Sequence, residues 1–221
     1  MGAESAELSV VYEDSTLLVL NKPSGLLSVP GRGDDKQDCL ASRVQACYAD
    51  ASIVHRLDMA TSGLMLMARG ATAQRLLNDA FASRAVHKRY EAVVDGLLHP
   101  ENLQDDGQWQ EINLPIALDW PHRPLRIIDA QLGKPSQTRW QMVSHDPNSG
   151  TSRVRLEPLT GRSHQLRVHM KAIGHPIVGD TLYAPPHVQA KAPRLLLHAT
   201  ELGLVHPVTQ QPMRWLSQAP F

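Results

Sequence analysis

The chain has 221 residues, 42% of them hydrophobic and 20% charged, so it can bury a sizeable core and has no bias toward disorder. Its 22 basic and 22 acidic residues cancel, which argues against a uniformly basic protein but leaves room for a basic face. No apolar run approaches the ~20 residues of a membrane span, and Met1-Gly2-Ala3-Glu4-Ser5 lacks the basic and apolar regions of a secretory signal, so a cytoplasmic protein is expected.

Residues 8–12 and 17–20 read as two strands joined by the turn Glu13-Asp14-Ser15. Lys22-Pro23-Ser24-Gly25 ends the second, since proline cannot donate to a ladder and glycine permits a bend. A helix is expected over residues 38–48, with Leu40, Val44 and Cys47 on one face. The two cysteines, Cys39 and Cys47, then lie about 80° apart around the axis and two turns along it, too far for a disulfide. They supply no zinc pattern either. A strand over 64–68, a helix over 71–82 carrying Leu76, Leu77, Ala80 and Phe81, and a strand over 90–94 follow.

Residues 99–135 are rich in proline and polar residues and read as loop with short strands; Glu101, Asp105, Asp106 and Glu111 collect negative charge there. Strands at 140–144 and 152–157 flank the turn Asp146-Pro147-Asn148-Ser149-Gly150. A helix over 163–173 places Leu166, Met170 and Ile173 at i, i+4, i+7 and stops at Gly174. Apolar strands at 195–197 and 202–205 close the chain. No linker or repeat divides it. The expectation is one α+β domain over residues 1–221, with a mixed, largely antiparallel sheet and few helices.

Several chemistries are absent as motifs: there is no G-x-x-x-x-G-K-[ST], no complete G-x-G-x-x-G, no G-x-S-x-G and no H-E-x-x-H. His164 and His169, five apart, face different sides of a helix and make poor co-ligands for a metal. The informative stretch is His55-Arg56-Leu57-Asp58-Met59-Ala60-Thr61-Ser62-Gly63, a charged bend directly before the apolar run 64–68. Such a bend can hold a reactive carboxylate at the edge of a core, although Asp58 and Thr61 taken alone are ordinary turn formers. The second is Leu159-Thr160-Gly161-Arg162-Ser163-His164-Gln165-Leu166-Arg167-Val168-His169-Met170. Here Arg162 enters a helix beside a glycine, where a guanidinium can clamp a carboxylate bidentately. His164, Arg167 and Lys171 share a polar face at i, i+3, i+7, able to meet phosphates or simply solvated. Lys88-Arg89-Tyr90 opens a strand after a basic run.

Taken in order, six segments resemble the RluA-type pseudouridine synthases. They are Asn21-Lys22-Pro23-Ser24-Gly25, His55-Arg56-Leu57-Asp58 with Thr61-Ser62-Gly63, Lys88-Arg89-Tyr90, Gly161 through His169, Gly174-His175-Pro176-Ile177-Val178-Gly179-Asp180, and Arg194-Leu195-Leu196-Leu197-His198-Ala199. The resemblance implies the pseudouridine synthase fold with a central catalytic cleft, and isomerisation of uridine to pseudouridine in RNA. The C1′–N1 bond breaks, the uracil turns, and C5 bonds to C1′.

By this likeness Asp58 is the catalytic carboxylate, acting on the sugar as nucleophile or as base. Arg162 is the arginine that pairs with it, and Tyr90 stacks on the uracil. Arg56 fills the gap left by the flipped uridine, and flipping exposes a bond that the RNA stack otherwise shields. Leu196 belongs to the apolar pocket wall, with Leu195 or Leu197 as alternatives. No cofactor and no metal are implied. The chain leaves no room before its first strand for the S4-like domain of some relatives, so a monomeric catalytic domain would bind RNA alone. Asp119-Trp120-Pro121-His122-Arg123-Pro124 and residues 26–32 are similar to the RluA branch, which acts on 23S rRNA and the tRNA anticodon stem-loop. Two other classes compete: a non-catalytic RNA-binding or folding module, which would need no carboxylate facing RNA, and a metal-dependent hydrolase using the histidines.

Overall fold

The apolar runs of the N-terminal third become strands covered on both faces. The computed structural model describes residues 8–98 and 109–221, so the acidic group Glu101, Asp105 and Asp106 lies outside the described residues. The described residues form two units, one taking the chain through residue 87 together with residues 201–218, the other residues 88–200 and 219–221.

In the first unit β1 (Val10–Glu13), β2 (Leu17–Lys22), β3 (Ala51–Ile53) and β4 (Ser62–Arg69) pair antiparallel, with β2 between β1 and β4 and with β3 also on β4. Leu17 through Leu20 and Leu64 through Ala68 are fully buried, which explains continuous apolar runs in place of alternation. Helix α1 (Leu40–Cys47) buries Leu40, Ala41 and Val44. Cys39, its buried N-cap, and exposed Cys47 are both free thiols. Helix α2 (Gly70–Ala82) packs Ala73 and Leu77 into a core with Leu17, Val19, Leu64, Leu66 and Ala68.

The second unit carries β5 (His87–Asp95) from residue 88 onward, β6 (Gln110–Asn113), β7 (Ile116–Leu118), β8 (Arg126–Ile128), β9 (Gln137–Asp146) and β10 (Thr151–Pro158). The ladder runs β5-β10-β9-β6, antiparallel throughout, and β7 pairs with β8 as a separate hairpin. Helix α3 (Gln165–Ala172) ends as expected at Gly174, whose φ of 87° a residue with a side chain rarely adopts. Its N–H donates to Lys171 O and that of His175 to Met170 O, the paired bonds of a glycine-capped helix end. A short helix α4 (Pro186–Gln189) follows.

Strand β11 (Leu197–Val205) gives residues 197–200 to the second unit and 201–205 to the first, where they pair with β12 (Pro212–Leu216). The fold is therefore α+β with largely antiparallel strand pairing, as expected. Strands β3 and β12 and helix α4 were not legible: at three to five residues each they carry too few side chains to establish a period. Among the described residues no helix is long and apolar enough to cross a membrane.

Candidate active site

The segment between β3 and β4 carries Arg56 and Asp58. Arg56 is exposed and Asp58 half-buried, while Leu57 between them is only 6% exposed and anchors the loop. Four successive carbonyls of this loop each accept a hydrogen bond. Leu57 O accepts from Ser28 Oγ (2.7 Å), and the same hydroxyl accepts the Leu57 N–H (3.1 Å). Asp58 O accepts the Thr61 N–H (3.1 Å) and Met59 O the Gly25 N–H (2.8 Å). Ala60 O accepts from Ser24 Oγ (2.7 Å). Gly25 reaches Met59 with φ +87°, which explains glycine at that bend.

Beneath the loop Lys22 is fully buried, and its ammonium donates to Pro23 O (2.9 Å), Leu26 O (2.7 Å) and Met59 O (3.1 Å). Behind it His55 Nε2 accepts the Leu66 N–H (2.8 Å) and its ring stacks on Phe81 at 4.6 Å. A buried ammonium spreading its charge over backbone dipoles ties the Pro23–Leu26 bend to the residue after Asp58. A loop with its carbonyls bonded in this way holds a carboxylate in a set position.

The second unit carries the other residues singled out. Tyr90 lies half-buried on β5 opposite Leu156 of β10, on the sheet face shared with buried Ala92 and Val94. Arg162 is exposed at the entry to α3. Its loop is clamped by Gln165, 4% exposed: Oε1 accepts the Arg162 N–H (3.0 Å) and the Thr160 hydroxyl (2.7 Å), and Nε2 donates to Gln137 O (2.8 Å) and Thr138 Oγ1 (3.0 Å).

The network continues into His169, fully buried, with Nδ1 2.9 Å from Thr138 Oγ1 and Nε2 2.9 Å from Leu114 O. A carbonyl only accepts, so Nε2 carries the proton and Nδ1 accepts from the Thr138 hydroxyl. Burial holds the pKa of His169 below its ordinary value, which keeps this neutral tautomer. Leu196 is half-buried against Val178, Ala184 and Val188, whereas Leu195 and Leu197 are each 2% exposed. Of the three leucines, Leu196 is the one with surface to present.

Residues 16–172 match the RNA pseudouridylate synthase family. The chain is 48% identical over 212 residues to the dual-specificity RNA pseudouridine synthase RluA of Yersinia pestis, covering 96% of this chain and 99% of that protein. It is 46% identical over 214 residues to the protein of the same name from Escherichia coli K12, covering 97% and 94%. This chain belongs to the RluA-type RNA pseudouridylate synthases. In structure it resembles human RNA Pseudouridylate Synthase Domain Containing 1, with a TM-score of 0.79 at 29% identity, over 100% of this chain and 87% of that one. The synthase is an isomerase of uridine in RNA.

One expectation about its RNA contacts does not hold. Arg167 is 4% exposed, and its Nε and Nη2 donate to the two oxygens of Asp180 at 2.8 and 2.6 Å. Asp180 is fully buried and also accepts the N–H groups of Leu182 (3.0 Å) and Tyr183 (3.2 Å). Arg167 is a structural ion pair of this synthase rather than part of an exposed phosphate-binding face. Helical spacing put it in line with Lys171, which is exposed, but the helix turns that position toward the 177–183 turn.

His164 is half-buried in the left-handed region (φ 59°) as the N-cap, with Nδ1 2.6 Å from Tyr183 Oη. This is why α3 begins at Gln165, two residues later than expected. Lys22, Gln165 and Asp180 all sat in the matched segments without a role. Each has a partner 13 to 37 residues away, where no periodicity reports contact.

Proposed function

We propose that this synthase has dual specificity, converting uridines in a 23S rRNA stem-loop and in the anticodon arm of tRNA, as a cytoplasmic monomer. The observation that carries this reading is near-full-length identity of 46–48% to synthases named for that dual specificity. Asp58 is the carboxylate that acts on the ribose. In support, it stands half-exposed on a loop whose backbone is bonded from residue 57 to 60, the rigidity a positioned nucleophile or base needs. Tyr90 is the ring that stacks on uracil and Arg162 the guanidinium of the catalytic set. Exposed Arg56 takes the place of the flipped nucleotide. Leu196 presents an apolar wall, and Lys171 and His164 meet the RNA backbone.

Carbodiimide mapping of pseudouridine in total RNA incubated with the wild-type protein tests the substrate assignment. Product at one rRNA stem-loop and at the anticodon arm is expected, and product confined to one RNA class would sink dual specificity. Asp58→Asn is expected to bind the same RNAs without turnover. Substantial product from that variant refutes the role given to Asp58.

A further inference from the structure

The tip of the β7–β8 hairpin, residues 119–125, is a closed turn. Asp119 N–H donates to Leu125 O (3.1 Å) and Leu125 N–H to His122 O (3.0 Å). The Asp119 carboxylate accepts the His122 N–H (3.3 Å) and lies 3.1 Å from its Nδ1. On this turn Trp120 is 66% exposed, while Trp140 and Trp215 are each 7% exposed. The guanidinium of Arg123 lies over the Trp120 ring, 4.7 Å from its centroid.

The hairpin does not float. Leu125 and Ile128 pack on Ile116, Val168 of α3 and Tyr183. Arg126 N–H donates to Tyr183 Oη (2.9 Å), the same oxygen that meets His164 two residues after Arg162. The tip is thus braced on the helix that follows the Arg162 loop.

We propose that this tip is an RNA-recognition element in which Trp120 stacks on an unpaired base of the substrate loop. The inference rests on the RNA reading above and adds to it a residue outside the reaction chemistry. An indole on a rigid turn offers a stacking platform at little entropic cost, and stacking tolerates any base. Arg123, whose guanidinium lies over the ring, has N–H donors in its plane that phosphate oxygens can accept. Beside Arg123, residues 119–126 carry His122 and Arg126, groups that suit a polyanion, and the one acidic residue of that stretch, Asp119, is engaged with His122. An apolar protein partner would not call for that set.

The test uses the full-length protein and a synthetic anticodon stem-loop with 2-aminopurine placed at each unpaired position in turn. Wild type is expected to quench one position, and Trp120→Ala to abolish that quenching and raise Kd by about tenfold or more. Trp120→Phe, which keeps a ring, is expected to restore most of the affinity and the quenching. Quenching that is the same in Trp120→Ala at every position, with Kd within about twofold of wild type, overturns the inference while leaving the activity reading intact. A wild-type protein that forms no pseudouridine in the stem-loop, yet shows Trp120-dependent quenching, overturns the substrate reading and supports this one. A wild-type protein that does not bind the RNA overturns both.

Discussion

Replacing Arg167 by methionine separates a structural ion pair from an RNA contact. The Arg167–Asp180 pair is bidentate at 2.8 and 2.6 Å, with side-chain exposures of 4% and 0%. Arg167→Met leaves the Asp180 carboxylate buried with only the N–H groups of Leu182 and Tyr183 to stabilise it. Breaking a buried pair from one side costs about 3–5 kcal/mol, because the remaining charge is desolvated without its counter-charge. Asp180→Asn, which keeps an acceptor for the two N–H groups but strands the guanidinium, is expected to cost a similar amount.

The double variant removes both charges, so its loss is expected to fall short of the sum by about 2 kcal/mol or more. Urea unfolding at pH 7 measures all four proteins. RNA affinity, measured against salt on the folded fraction of Arg167→Met, is expected to keep its slope. A stability loss under about 1 kcal/mol would show that the ion pair is incidental, and a salt slope reduced by about one would show that Arg167 binds phosphate.

The loop under Asp58 and the clamp under Arg162 offer parallel tests. Lys22→Met takes the ammonium from the Pro23 and Leu26 carbonyls, at about 1–3 kcal/mol each, and leaves Met59 O with the Gly25 N–H alone, but also relieves the burial of an ammonium, worth several kcal/mol. Its net stability is therefore expected to change little while turnover falls about tenfold to a hundredfold, because the residue beside Asp58 is released; single-turnover pseudouridine formation beside a urea melt checks both. Gln165→Leu, similar in volume, removes the four hydrogen bonds that Gln165 makes and is expected to cost on the order of 3 kcal/mol. An unchanged melting temperature would refute the clamp.

His198, 2% exposed, has its pKa lowered to about 4 by burial and then by nearby Arg194. The folded state therefore excludes a proton that the unfolded chain binds below about 6.5, so stability is lost as pH falls from that value toward 4. Between pH 7 and 5 this group alone accounts for about 2 kcal/mol of loss. His198→Gln is expected to flatten that slope in urea titrations at the two pH values, and an equally steep slope would remove the assignment.

What could be read directly differs between the two parts of the chain. Leu17 through Leu20 and Leu64 through Ala68 announced themselves because strands buried on both faces need unbroken apolar runs. Helices α2 and α3 did so through their spacing, and Gly174 through its position after the last apolar residue. Arg167 was misread for the same reason that α3 was found: periodicity reports which residues share a face, not what that face meets.

The sequence by itself determined the class of fold and, through six ordered segments, the family and the residues to be tested, because those depend on local pattern and on residue type. Only the tertiary structure decided how they are held. The burial of Lys22 under the Asp58 loop, the tautomer of His169, the anchoring of Gln165 to Gln137 and Thr138 and the removal of Arg167 from the surface all rest on hydrogen bonds between residues far apart in the chain. A buried polar group has to find its partner wherever the packed chain places one, and that placement is a property of the whole fold.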